Sequence, residues 1–239
     1  MRRKYQSCAA RTVEGGFELA LDGKAMRTPA GQPFVVARQA LAEAVAAEWN
    51  AVPANGEIRP LAMPMTRLAV TAIDRIPGQR QKVVDDIAAY GRSDLLCYRA
   101  ERPAELVARQ AAGWDPWLGW VASRYRAALK PTAGVMPVAQ DEAAIARLRE
   151  AVASFDDFSL TALFNLTGLL GSLVLALAVL EGELDLEQAG SLAEIDATYQ
   201  AERWGEDAEA SRRREAVRRD IAGIGQFLSL LSQGGPLST

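Results

Sequence analysis

Hydrophobic and polar positions alternate near the start of the chain. Residues Phe17–Leu21 place bulky apolar side chains at every second position, which is typical of a strand with one buried face. Asp22-Gly23 comes next, and both residue types accept the positive φ of a two-residue hairpin turn. We therefore predict a hairpin whose return strand covers Lys24–Thr28. A third short strand is expected over Phe34–Val36.

Further along the chain, apolar residues recur three and four positions apart, which is the spacing of a helix with one buried face. We predict a helix from Arg38 to Trp49 and a second helix that begins near Pro64. Proline suits the first turn of a helix, and Pro77-Gly78 is predicted to stop this second one. A third helix is expected over Val83–Tyr90.

The middle of the chain is less regular. The apolar run Leu95–Tyr98 is a candidate strand, and Val135–Val138 is its candidate partner. Between them, Pro103–Lys130 contains Asp115-Pro116, a pair typical of a helix start, so this segment is either two helices or one kinked helix. Asp141 is predicted to cap the helix that follows it.

An uncharged segment of 23 residues covers Phe158–Leu180. Its length suffices for a membrane span, so a membrane-anchored protein is one reading. Acidic residues flank it on both sides, and it lacks the basic and aromatic anchors that such spans carry. The sequence favours one long helix buried in a bundle, without stable membrane insertion.

These patterns predict an α+β fold with a small N-terminal β-rich domain followed by a larger all-helical domain. We expect the first domain, which includes one helix, to cover residues 1–57. The second is expected to cover residues 58–239, with a frayed tail from about residue 232.

Composition excludes several function classes. The 239 residues include no His and two Cys, which excludes His-dependent catalytic triads, His-ligated metals and Cys₄ clusters. Lys and Arg number 27 against 30 Asp and Glu, a net charge of −3 that argues against nucleic-acid binding. No apolar run follows the basic Met1–Lys4, so a secretory signal is not expected and the cytoplasm is the predicted compartment.

Charge is strongly segregated toward the C-terminus. Residues 181–209 hold ten acidic side chains against one Arg, and residues 212–219 hold five Arg against one Glu. A self-paired, solvated helix explains this pattern, and so does a charged docking face. A third reading is an enzyme that binds Mg²⁺ or Mn²⁺ through carboxylates, since Glu202, Glu206 and Glu209 share one helical face.

Eight segments, taken together and in order, resemble one family. Three of them are the most specific in combination: SDLLCYRA, WDP and WGEDAEA. The segments are Leu21–Gly31, Leu41–Trp49, Met63–Arg75, Ser93–Pro103, Leu106–Leu118, Gly134–Gln140, Gly171–Val179 and Trp204–Ala210. The chain thus resembles the ATP-twelve family, the assembly chaperones of the F₁ sector of ATP synthase.

The resemblance implies a function. Proteins of this family bind the unassembled α subunit of F₁, prevent its aggregation and leave when the β subunit arrives. They are not enzymes and need no cofactor or metal, and they work in the mitochondrial matrix or, in bacteria, in the cytoplasm. We expect the free protein to be a monomer.

The resemblance also implies particular residues. Trp49 and Glu206 are the positions associated with function in the family. Trp49 shares a helical face with two apolar residues, so a structural role is an alternative for it. We extend the predicted partner-binding patch around Glu206 to Trp204, Asp207 and Glu209.

Overall fold

The structure, a computed structural model, describes residues 2–134, 138–205 and 207–233. It divides into two compact units. Unit 1 consists of Met1–Arg80 together with Gly223–Thr239, and unit 2 of Gln81–Ala222. The domain division predicted after residue 57 stays a prediction, because compact units in one structure do not test which segments fold alone.

Unit 1 combines a small sheet with helices. Its strands are β1 (Cys8–Val13), β2 (Gly16–Leu21), β3 (Lys24–Ala25) and β4 (Val35–Val36). Its helices are α1 (Gln39–Ala51), α2 (Pro64–Asp74), the first residues of α3 (Ile76–Ala89) and the last part of α10 (Ala208–Ser232).

The predicted hairpin is confirmed. β2 pairs with β3 in antiparallel register, and Asp22 and Gly23 between them have φ values of 48° and 79°. β4 also pairs with β2, near the beginning of that strand. β1 pairs with the opposite edge of β2. The sequence analysis missed β1, because Cys8–Val13 lacks an alternating apolar pattern.

The start of α2 depends on a side chain from α1. The residue that precedes α2, Met63, offers no side-chain cap. Instead, the Glu48 carboxylate accepts hydrogen bonds from the backbone N–H groups of Met65 (2.7 Å) and Thr66 (2.8 Å) and from the Thr66 hydroxyl (2.7 Å). These bonds satisfy N–H groups that a helix start leaves unpaired, and they join α1 to α2.

The stop predicted at Pro77-Gly78 is wrong. α2 ends at Asp74, and Pro77 and Gly78 lie in the first turn of α3, which has non-helical angles at Gln79. Proline is tolerated in a first helical turn, where its missing N–H has no intrahelical partner.

Unit 2 is almost entirely helical. Its helices are the rest of α3, α4 (Ala104–Tyr125), α5 (Glu142–Ala153), α6 (Asp157–Leu170), α7 (Leu173–Leu180), α8 (Leu186–Ala193), α9 (Ile195–Trp204) and the first part of α10. Two short strands, β5 (Tyr98–Arg99) and β6 (Thr132–Ala133), pair in parallel. The fold is therefore α+β, as predicted.

Three predictions for unit 2 can be compared with the structure. Leu95–Cys97 forms a short 3₁₀ helix rather than a strand, and β5 begins only at Tyr98. Of its proposed partner, Val135–Pro137 lies outside the described residues. α4 is one helix with Pro116 inside it, so Asp115 does not begin a new helix. The cap by Asp141 is confirmed, since its carboxylate accepts a bond from the Ala143 N–H.

The long apolar segment is two helices, so the expectation of a single helix is wrong. α6 ends at Leu170, and Gly171 after it has a φ of +65°, which is left-handed and strained for other residues; α7 begins after Ser172. Among the described residues, none of the helices combines the length and apolar character that crossing a membrane requires.

The break between α6 and α7 is held by a buried carboxylate. Asp94 is fully buried and accepts bonds from the Ser172 hydroxyl (2.7 Å) and from the N–H groups of Val174 (3.0 Å) and Leu96 (3.1 Å). Burial raises the pKa of this carboxyl to about 6, and these hydrogen bonds oppose the rise. One side chain thus fixes both the 3₁₀ turn and the start of α7.

Candidate partner-binding surface

Most of the predicted partner-binding residues lie where α9 gives way to α10. α9 ends at Trp204, and Gly205 turns the chain away from the helix. The Asp207 carboxylate accepts a bond from the Ala210 N–H (3.1 Å) in the first turn of α10. Glu209 lies in the same turn. We call Trp204, Asp207 and Glu209 the α9–α10 corner; Glu206, the fourth predicted residue, lies outside the described residues.

Trp204 is unusually exposed for its size. Its relative exposure is 78%, whereas Phe164 in the same unit is 44% exposed and Trp114 is fully buried. Exposed tryptophan costs hydrophobic free energy in the free protein and is frequent at the centre of protein–protein contacts. The corner therefore carries the kind of side chain that a partner would cover.

Contacts within unit 2 fix α8 and α9 against α4. The Trp114 indole N–H donates to the carbonyl of Leu192 in α8 (2.9 Å), and the Gln110 amide donates to the carboxylate of Asp196 in α9 (2.6 Å). Gly113 allows close approach, because a Cβ there would lie 2.7 Å from the Ile195 side chain. The end of α9 is consequently presented on a rigid support.

Arginines neutralise much of the acidic charge next to the corner. Arg109 binds Glu202 (2.7 Å) and Glu105 (2.9 Å), and Arg203 also pairs with Glu105. Hydrogen bonds from Arg203 and then Arg109 lower the pKa of the Glu105 carboxyl. Both guanidinium groups also lie about 5 Å from the Tyr199 ring centroid, at 5.2 Å and 5.3 Å. These ion pairs join α4 to α9. Pairing within one helix, as the self-paired reading predicts, occurs in α10 between Glu209 and Arg213, while Arg218 pairs with Glu194.

The carboxylates of the suggested metal site have other partners. Glu202 pairs with Arg109, and Glu209 pairs with Arg213 at 3.2 Å, one turn along α10. Within the described ranges, which omit Glu206, the structure brings together no three Asp, Glu, Cys or His side chains in a metal-binding arrangement.

The structure places Trp49 in unit 1, where its side chain is partly buried. It packs beside the buried residues Val52, Ile58 and Met63, and its ring centroid lies 5.7 Å from that of Tyr5. The Tyr5 hydroxyl donates to the Trp49 carbonyl (2.6 Å). Trp49 therefore joins the N-terminal segment to α1. A contribution of Trp49 to partner binding stays a prediction.

The sequence analysis missed several polar residues that organise the fold. Glu48 and Asp94 accept backbone bonds at two helix starts, and Asn50 binds the backbone of Cys8. Each lies inside a segment that carries the family resemblance or directly after one. Nothing in their spacing identifies their partners, which are distant in the sequence.

The cysteines are buried and free. Burial raises the pKa of the Cys8 thiol to about 11 and that of Cys97 to about 12, with the Asp94 charge as a second cause for Cys97. A thiol that stays protonated is a poor nucleophile, and both cysteine side chains lie among buried residues.

Comparison with known proteins finds a matching family and a similar mitochondrial protein. The sequence model of a family described as the ATP12 chaperone protein matches residues 2–122. The chain is 26% identical over 220 residues to the mitochondrial protein atp12 of Schizosaccharomyces pombe. This match covers 87% of this chain and 75% of that protein.

Solved structures extend the comparison to nearly the whole chain. The crystal structure of Atp12 from Paracoccus denitrificans matches with a TM-score of 0.90 and 44% identity, over 96% of this chain and 97% of that one. A point mutant of the same P. denitrificans protein matches with a TM-score of 0.91 and 43% identity, over the same shares.

The class of protein follows from these matches: an α+β chaperone. The chain belongs to the ATP12 chaperone family, which confirms the resemblance seen in the sequence. It is accordingly a chaperone of ATP synthase assembly.

Proposed function

We propose that this chain binds the unassembled α subunit of the F₁ sector, prevents its aggregation and hands it to the β subunit. We also propose that it does so without catalysis, as a monomer when free, in the bacterial cytoplasm. Family membership supports the assembly role. The observation that carries the binding proposal is Trp204, which is 78% exposed next to the acidic first turn of α10.

Recognition at the α9–α10 corner would combine two contributions. Covering the Trp204 indole removes a large apolar surface from water, which provides affinity. Asp207 and Glu209 are exposed carboxylates, and Glu206 lies between Trp204 and both of them in the sequence. Their charge would speed association with a basic strip on the α subunit and orient the two proteins.

Release follows from the relative sizes of two interfaces. A free α subunit exposes apolar surface and strand edges that would associate wrongly if left uncovered. A moderate, partly polar contact with the chaperone covers them reversibly. The β subunit then displaces the chaperone because the permanent subunit interface is larger and more apolar.

Charge reversal at Glu206 tests the binding site. We expect Glu206→Lys to weaken the complex with purified α subunit about tenfold or more, with no change in thermal unfolding of the chaperone. Glu183→Lys is the matched control, because it changes net charge equally at an exposed turn before α8. Equal affinities for the two variants, or unfolding of the Glu206 variant, would contradict the assignment.

Truncation of Trp204 tests the apolar contribution separately. An anchor of this kind is typically worth about 2 kcal/mol or more, so Trp204→Ala should weaken binding by a factor of about 30. The same variant should also lose protection of α subunit against aggregation, measured by light scattering after dilution from denaturant. Full protection by Trp204→Ala would show that the α9–α10 corner does not bind the α subunit.

A further inference from the structure

The outer edge of β1 carries backbone groups that no strand uses. β1 pairs with β2 on one side, and in the described part of the chain no strand lies on the other. The register pairs Ala10 with Leu19, and Leu19 bonds away from β1, to Phe34 and Met26. Because bonding direction alternates along a strand, Cys8, Ala10 and Thr12 direct their N–H and C=O groups outward.

At one end of this edge, a side chain imitates a neighbouring strand. The Asn50 amide accepts a bond from the Cys8 N–H (2.8 Å) and donates one to the Cys8 carbonyl (2.8 Å). This is the pair of bonds that an antiparallel strand would make. The equivalent groups of Ala10 and Thr12 have no such partner among the residues that the structure describes.

A groove of about 320 Å³ runs along the same edge. Ala9, Ala10 and Thr12 of β1 line it, and so does Phe17 of β2, so the groove reaches from the outer edge of β1 onto the face of the sheet. Its opposite wall is α1, where Ala46 and Ala47 leave room. Its size is at the lower end of ligand-binding clefts.

We propose that the outer edge of β1 receives an extended segment of the client polypeptide, which adds to the sheet as a fifth strand beside Ala10 and Thr12. This inference rests on the proposed function, since it takes the α subunit as the client. Outward donors and acceptors that alternate at about 6.6 Å intervals are satisfied by another extended backbone. Small side chains on both walls leave space for that backbone.

Charge further defines the occupant. Glu43 is the charged side chain in the lining of the groove, and it is exposed, with a hydrogen bond from the neighbouring Gln39 amide. The segment should therefore present small residues to Ala46 and Ala47 and a Lys or Arg to Glu43. Asn50 occupies the edge at Cys8, so pairing begins beyond that residue.

A proline substitution tests the proposal without touching the β1–β2 pairing. Thr12→Pro removes an outward N–H and places a bulky ring at the free edge, where proline is tolerated. Thr12→Ala is the matched control because it keeps the N–H. We expect the proline variant to bind purified α subunit at least tenfold more weakly than the alanine variant, with equal thermal unfolding. Equal affinities would overturn the proposal.

Amide hydrogen exchange provides a second measurement on the wild-type chain. The Ala10 and Thr12 amides should exchange rapidly in the free protein and become protected in the complex, while the Cys8 amide is protected in both. Unchanged exchange in the complex would overturn the proposal even if Thr12→Pro does not fold. Protection in the free protein that increases with concentration would show a second copy as the occupant, which would also overturn it.

Charge variants give a third result. Glu43→Lys should weaken the α-subunit complex more than Glu43→Gln does. If Glu43→Gln weakened the complex and Glu43→Lys did not, a Lys or Arg of the client beside Glu43 would be contradicted. Failure of the wild-type chain to bind α subunit would overturn the proposed function and the occupant together. Binding that is indifferent to Thr12→Pro would overturn only the role of β1.

Discussion

Glu48 in unit 1 and Asp94 in unit 2 have the same task but work in different surroundings. Each carboxylate comes from a distant part of the sequence and accepts backbone N–H bonds at the start of another helix, α2 for Glu48 and α7 for Asp94. Glu48 is partly exposed, whereas Asp94 is fully buried. We therefore expect burial, rather than the number of bonds, to decide how much stability each contact controls.

Removal of Asp94 should have the largest effect. Asp94→Ala leaves the buried N–H groups of Val174 and Leu96 and the Ser172 hydroxyl without acceptors, which should lower the free energy of unfolding by about 3–5 kcal/mol. Urea unfolding at pH 7 measures the loss, and exchange of the Val174 amide locates it. A loss below about 1 kcal/mol would contradict the account of the α6–α7 break.

The second-largest expected effect is a pH dependence of stability that comes from Asp94. Its pKa is about 6 in the fold against an ordinary value of 3.8, because burial disfavours the charged form. The folded state therefore holds this proton more tightly than the unfolded chain. The resulting stabilisation is complete below about pH 3.8, declines between about pH 3.8 and 6, and is absent above that, a change of about 3 kcal/mol.

The measurement compares wild type with Asp94→Asn across this pH range. Other carboxyl groups contribute equally to both proteins, so the difference between their free energies of unfolding isolates residue 94. We expect wild type to lose stability relative to the Asn variant as pH rises from about 4 to 6. A difference that is constant with pH would show that Asp94 does not titrate there.

Loss of Glu48 should cost less. Glu48→Ala removes the acceptor at the start of α2, but solvent reaches this site and replaces part of the bonding. We expect a loss of about 1–2 kcal/mol in urea unfolding, in the range of helix-cap removals. Glu48→Gln keeps one acceptor oxygen and should lose roughly half as much. A loss equal to that of Asp94→Ala would contradict the importance of burial.

Two hydroxyl deletions sharpen the comparison at the smallest scale. Ser172→Ala removes a buried donor to Asp94 and the acceptor for the Leu175 N–H, and should cost about 1–2 kcal/mol. Thr66→Ala removes one donor to Glu48 and should cost about 0.5–1 kcal/mol. The reverse order in urea unfolding would show that the two carboxylate sites are not ranked by burial.

Regular patterns in the sequence were enough to predict the α+β class, the hairpin at Asp22-Gly23 and the cap at Asp141. The sequence did not reveal β1, whose small and polar residues do not alternate, or the break at Gly171, which divides an evenly apolar segment. A tertiary contact decides the break, which is held by Asp94, 78 residues before Ser172. β1 is instead formed by local hairpin pairing with β2 across Glu14 and Gly15.

For the candidate site, the sequence predicted which residues take part but not their exposure or their partners on other helices. The family resemblance pointed to Glu206, and the prediction was extended from it to Trp204, Asp207 and Glu209. The exposure of Trp204 is a property that the sequence alone does not give. The pairing of Glu202 with Arg109 on α4 was also hidden, because the two residues are far apart in the chain. Spacing along one helix predicts neighbours on that helix and nothing about the helix it packs against.

Selective binding of the α subunit is the central claim, and size-exclusion chromatography tests it most directly. The purified chain is mixed, without nucleotide, with α subunit or with β subunit produced separately from the same organism. The account predicts near-stoichiometric co-elution with α and separate elution from β. Co-elution with neither, or equal co-elution with both, would contradict it.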